Sequence, residues 1–154
     1  MNFNQKFEPK SGCFHGAGQS INLFTEYWNA INENKPIIYM AYVKLPLIDH
    51  AWFNKTKERL SKFPPLILQL GLELLKDSED LCLKISLGTY DAQLILLGNF
   101  LKELKTPVFL RAGYEFNQPK KYNSDAFVDA WKYMFNLFLK QEINNVAWVW
   151  CACP

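Results

Sequence analysis

The chain has 154 residues, about half of them apolar and a fifth charged, enough for one folded domain with a sizeable core and too apolar for a disordered segment. Seventeen basic residues against fifteen acidic ones leave a net charge of +2, with no Lys/Arg cluster, so neither a nucleic acid nor an anionic membrane is expected as partner. Twelve Phe, seven Tyr and five Trp suit a bulky core or a stacking surface.

No stretch reaches the roughly eighteen apolar residues of a membrane span. The polar start, Met1 to Pro9, does not resemble a signal peptide, so the cytoplasm is the default location, and secretion would require an upstream signal. Cys13, Cys82, Cys151 and Cys153 are read as free thiols, because four are too few for a disulfide scaffold and the last two are too close for zinc or redox spacing.

A short first strand is placed near residues 10–14, followed by a loop of small residues to Ser20. Phe24, Tyr27, Trp28 and Ile31 recur at helical spacing. Pro36 opens an apolar run over 37–43, a strand. Trp52, Thr56, Leu60 and Phe63 mark a weaker helix over 48–63, which Pro64-Pro65 ends before the next strand at 66–70. Residues 73–88 read as irregular. Leu94, Leu97, Leu101 and Leu104 form a helix with Asp91 in its first turn, where a carboxylate favours the dipole.

The stretch Thr106 to Asn117 is the most informative. Val108 to Leu110 read as a buried parallel strand. Alternation along that strand puts Phe109, Arg111, Gly113 and Glu115 on one face and Tyr114 on the other, toward helix or core. Ser124 is a candidate helix cap, and Phe127, Ala130, Trp131, Met134, Phe135 and Phe138 form a wide core stripe. Residues 146–151 are the last strand. Strands alternating with helices predict an α/β fold with a parallel sheet of about five strands and four helices, a count that doubly wound folds fit, whereas a β/α barrel would need eight strands and about 250 residues.

The segment 108–117, the helix carrying Ala130-Trp131, and Asn145 to Trp150 resemble glycoside hydrolase family 26, the β-mannanase family. Gly18-Gln19-Ser20, Tyr27-Trp28, residues 35–40 and residues 68–71 agree more loosely. The resemblance implies a (β/α)8 barrel that hydrolyses β-mannosidic bonds with retention, using no cofactor, on a polysaccharide or oligosaccharide. It places the general acid/base at Glu115, at the end of the fourth strand. Where the mannanases more often carry histidine before the acid, this chain has Tyr114, which bears on substrate more than on chemistry. The family nucleophile belongs to a seventh strand, so residues 1–154 are expected to form a single incomplete barrel domain, truncated before its last three strands and inactive alone. Without a neighbouring carboxylate, and with Arg111 two residues away, Glu115 is expected to be ionised.

Other site candidates carry alternatives. Arg111 is a holder of carboxylates or sugar hydroxyls, or a structural ion pair. Trp150 is a sugar platform, with Trp148 lower and packed, both facing inward and poorly covered. Asn117, Gln118 and Tyr122 are sugar contacts or solvated loop residues. His15 and Gln19, in the loop after the first strand, are sugar contacts or structural. No metal cluster, Walker loop or serine elbow is present in the sequence. Two further readings compete with the enzyme: a non-catalytic carbohydrate-binding remnant, and a half-barrel whose open sheet edges pair with another chain.

Overall fold

A computed structural model describes residues 6–18 and 20–154. The described residues form one parallel sheet with helices packed on one of its faces. In chain order its strands are β1 (Gly16–Gly18), β2 (Ile38–Lys44), β3 (Ile67–Glu73), β6 (Val108–Ala112) and β7 (Val146–Trp148), and they lie side by side in that same order. Between β3 and β6 come a small antiparallel hairpin, β4 (Leu75–Lys76) with β5 (Glu79–Asp80). The helices are α1 (Ile21–Ala30), α2 (His50–Leu60), α3 (Cys82–Ser86), α4 (Asp91–Leu104) and α5 (Ser124–Lys140). This is the α/β architecture of a partial barrel. The sheet does not close, because β1 and β7 stand at its two edges.

Register explains where the core lies. Met40, Gln69, Phe109 and Ala147 stand abreast on the concave face, and Tyr42, Gly71 and Arg111 form the next row. These side chains are mostly only half-buried. Residues of opposite parity (Leu68, Leu70, Leu72, Val108, Leu110) are sealed beneath the helices. Burial of apolar surface at about 25 cal/mol per Å² therefore acts almost wholly through the helix side. Phe24 of α1 packs edge-on to Tyr39 at 5.1 Å and Phe63 at 5.0 Å. Among the described residues no helix is long and apolar enough to cross a membrane. All four cysteines are free.

Several elements differ from the sequence reading. The first strand is Gly16–Gly18, not residues 10–14. A Cβ on Gly18 would sit 2.6 Å from the Met40 Cβ, so glycine is what lets β1 approach β2, and a glycine-rich stretch carries no strand signal. The segment 73–88 contains the hairpin, which turns on Asp77 and Ser78, both at positive φ, and the short α3. Helix α2 is shorter than expected and is capped by Asp49, whose carboxylate accepts from the Trp52 amide at 2.7 Å. The cap of α5 is Asn123 rather than Ser124, its side chain accepting from the Ala126 amide at 3.0 Å.

Candidate active site

The strand carrying the expected site outlasts its apolar run but ends before the alternation expected through Glu115. Strand β6 stops at Ala112, and Gly113 turns the chain at φ 59°, where a Cβ would lie 2.4 Å from the Phe127 ring. Glu115 follows in the left-handed region at φ 55°. The expected alternation through Gly113 and Glu115 therefore breaks. Tyr114, expected on the opposite face, lies over the concave face beside Arg111. Its ring packs edge-on to Tyr42 at 5.2 Å, and the Arg111 guanidinium carbon is 5.5 Å from its centroid. Gly71 leaves the room, since a Cβ there would meet Tyr42 at 2.5 Å and Tyr114 at 3.2 Å.

Glu115 is half-buried in the loop at the carboxyl-terminal rim, three residues beyond β6. Its amide donates to the Cys151 carbonyl at 2.7 Å. Its carboxylate accepts from the Gln118 side-chain amide at 2.7 Å. Asn117 holds the same strap: its Nδ2 donates to the Cys153 carbonyl at 2.9 Å, and its Oδ1 accepts from the Cys153 amide at 2.6 Å. Both ends of the Asn117 amide are thus committed to backbone.

Arg111 does not pair with Glu115. Its Nη2 donates to the Cys151 sulfur at 3.1 Å, and its Nη1 to the Tyr42 hydroxyl at 3.4 Å and the Met40 sulfur at 3.5 Å. Among the described residues it makes no ion pair, so the structural ion-pair reading is corrected. Lys121 donates to the Tyr114 carbonyl at 2.7 Å and sits 4.6 Å above its ring. Burial pushes the Tyr114 phenol above its ordinary value, helped by the neighbouring Glu73, Tyr42 and Glu115 and opposed by Arg111. Beside Tyr42 lies a hollow of about 300 Å³ lined by Tyr42, Lys44, Leu47, Trp52 and Glu73, with Lys44 and Glu73 paired at 3.6 Å across its rim.

The tryptophans face the other way from the expectation. Leu110 is abreast of Trp148 and both turn to the helix side. Trp148 packs among Trp131, Phe135 and Phe138 of α5. Trp150 lies against Phe116, Phe127 and Trp131. Neither points into the concave face with Arg111; strand parity puts 147, 149 and 151 there instead. His15 precedes β1 rather than following it, so it stands at the amino-terminal end of the sheet, opposite Glu115. Its ring nitrogens meet the Asn34 carbonyl at 2.9 Å and the Tyr27 hydroxyl at 2.8 Å, a structural role. Gln19 lies outside the described residues.

The rim thus brings together Arg111, Tyr114, Glu115 and Asn117, with Tyr42 and Cys151 as members the sequence reading missed. A signal for Tyr42 was present: Ile38, Met40, Tyr42 and Lys44 share a face that grows more polar toward the strand end. No group of three or more metal-binding side chains occurs among the described residues.

The sequence matches no protein-family model, and a search of curated proteins found no match. Among solved structures, the chain is similar to GH26A from a Muricauda species, at 15% sequence identity and a TM-score of 0.58. The likeness covers 90% of this chain and 57% of that chain. At this identity it shows a shared fold alone, an open parallel α/β sheet of partial-barrel form.

Proposed function

We propose that this chain carries the acid/base half of a retaining glycoside hydrolase site of β-mannanase type, with Glu115 as general acid and then base. The observation that supports it most is position: Glu115 sits in the rim loop of β6, the fourth strand of the sheet, fastened by its own amide to the chain beyond the fifth. The acid must protonate the leaving oxygen and later take a proton from water, which requires a carboxyl held at a fixed depth. Arg111 and Tyr42 offer N–H and O–H groups to sugar hydroxyls on the concave face, and Tyr114 offers a flat wall in place of an imidazole.

Retention also requires a second carboxyl about 5–5.5 Å away. Glu73, on the neighbouring strand, is paired with Lys44 and so is not arranged as that partner for Glu115. The 154-residue chain is therefore expected to bind β-mannan-like oligosaccharides without turning them over. The test supplies a nucleophile from solution. An aryl β-mannobioside with a poor leaving group is incubated with the chain, with and without formate. Turnover that needs formate and disappears in Glu115→Gln supports the reading. Release of reducing sugar without formate overturns the inactivity, and absence of both binding and rescue overturns the glycosidase assignment. The open edges at β1 and β7 support a second reading, association with another chain, against which a monomer in light scattering would count.

A further inference from the structure

Trp150 presents a feature the acid/base reading does not use. It lies two residues past the end of β7, beyond strand pairing, and turns to the helix side of the sheet. Three rings steady it: Phe116 at 4.5 Å, Trp131 at 5.2 Å and Phe127 at 5.4 Å. Yet 52% of its surface is open, whereas Trp148, two residues earlier, is half-buried against α5. Beside it is a recess of about 260 Å³, walled by Phe116, Tyr122, Phe127 and Trp150, with Ser124 and Asn117 at its edge.

Three aromatic neighbours immobilise the indole, so little side-chain entropy remains to be lost when a ligand stacks on it. Ser124 opens α5, where backbone N–H groups lack intrahelical partners, and its hydroxyl makes no hydrogen bond among the described residues. A neutral pyranose matches this lining. One of its faces is a patch of C–H groups that stacks on an aromatic plane, and its edge carries hydroxyls that both donate and accept. No charged side chain lines the recess, and a purely apolar ligand would leave the Ser124 hydroxyl unpaired.

We infer that the Trp150 recess is a second glycan-binding site, taking one neutral pyranose of an oligosaccharide on the outside of the sheet, separate from the Arg111–Glu115 mouth. It goes beyond the catalytic assignment and does not depend on Glu115. A chain bound here would be held at the same rim as the mouth, as a tethering site rather than a reacting one.

Two-dimensional NMR of the backbone amide and indole N–H groups during titration with β-1,4-mannohexaose, and separately with cellohexaose, tests it. The Trp150 signal is expected to shift with either sugar. Trp150→Ala should weaken binding about tenfold, the loss of one stacked ring, while Glu115→Gln leaves the Trp150 shift unchanged. If Trp150→Ala folds poorly, Trp150→Phe and Ser124→Ala serve, each expected to weaken the interaction by a smaller factor. The proposal is overturned if the Trp150 signal stays still up to about 10 mM of both sugars, above the millimolar range of a single stacked ring. It is equally overturned if the Trp150 variants bind as the parent does. Shifts confined to Tyr114 and Glu115 would overturn this site and leave the catalytic reading standing. Shifts confined to Trp150 would do the reverse.

Discussion

The amide of Glu115 donates a 2.7 Å hydrogen bond to the carbonyl of Cys151. The bond ties the loop after the fourth strand of the sheet to the segment after the fifth. Arg111 reaches the same residue from below through its sulfur at 3.1 Å, and Asn117 grips Cys153 two residues on. The position of the candidate acid is thus set by a neighbouring segment rather than by its own strand.

Asn117→Ala should loosen that strap. Two hydrogen bonds to the Cys153 backbone are lost, at about 1 kcal/mol each or less because the residue is exposed. The expected result is a fall of about 1 kcal/mol in urea unfolding and faster amide exchange at Glu115 and Cys153. Unchanged exchange at both would refute the strap.

Gly113→Ala combines two penalties. The residue has φ 59°, and a Cβ would lie 2.4 Å from Phe127 and 3.2 Å from Leu74. A loss of about 2–3 kcal/mol is expected from strain and overpacking, read from a denaturant midpoint at unchanged slope.

Asp80 joins the β4–β5 hairpin to the start of α5. Its carboxylate accepts from the Cys82 amide at 2.8 Å and the Asn123 amide at 2.7 Å. Asp80→Ala should cost about 2 kcal/mol, as the loss of two charge-assisted bonds to backbone. Asp80→Asn should recover part of that cost. Equal stability of the alanine variant and the parent would refute the linkage.

Alkali should destabilise the fold. Burial, followed by the field and hydrogen bond of Asp80, pushes the Cys82 thiol well above its ordinary range. Burial does the same to Tyr122 and Tyr114. The folded chain then holds protons that the unfolded chain has released, so stability is complete below the ordinary values and falls as pH rises past them. The decline should begin at about pH 8.5 for the thiol and steepen above about pH 10 for the phenols. Urea midpoints at several pH values check this. Cys82→Ala should remove the first part of the decline, and a flat profile from neutrality to pH 11 would contradict the assignment.

Local patterning made most of the scaffold legible. The continuous apolar runs of β2, β3 and β6, the helical spacing of Leu94, Leu97 and Leu101, and the aromatic stripe of α5 each state their period within one segment. The alternation of strand and helix then implied a parallel sheet, whose sequential strand order only the fold decided, and the carboxylate at the end of its fourth strand was visible from the same run. Tertiary structure decided what depends on segments far apart. Strand β1 exists because glycine lets it close on Met40, which no local pattern announces. Left-handed turns at Gly113 and Glu115 end the alternation and bring Tyr114 over the concave face, and the Trp148 and Trp150 rings pack on the helix side. Periodicity reports which residues share a face only while the strand lasts. Where it stops, the next orientation is chosen by whichever distant backbone offers a partner, and here that partner is Cys151.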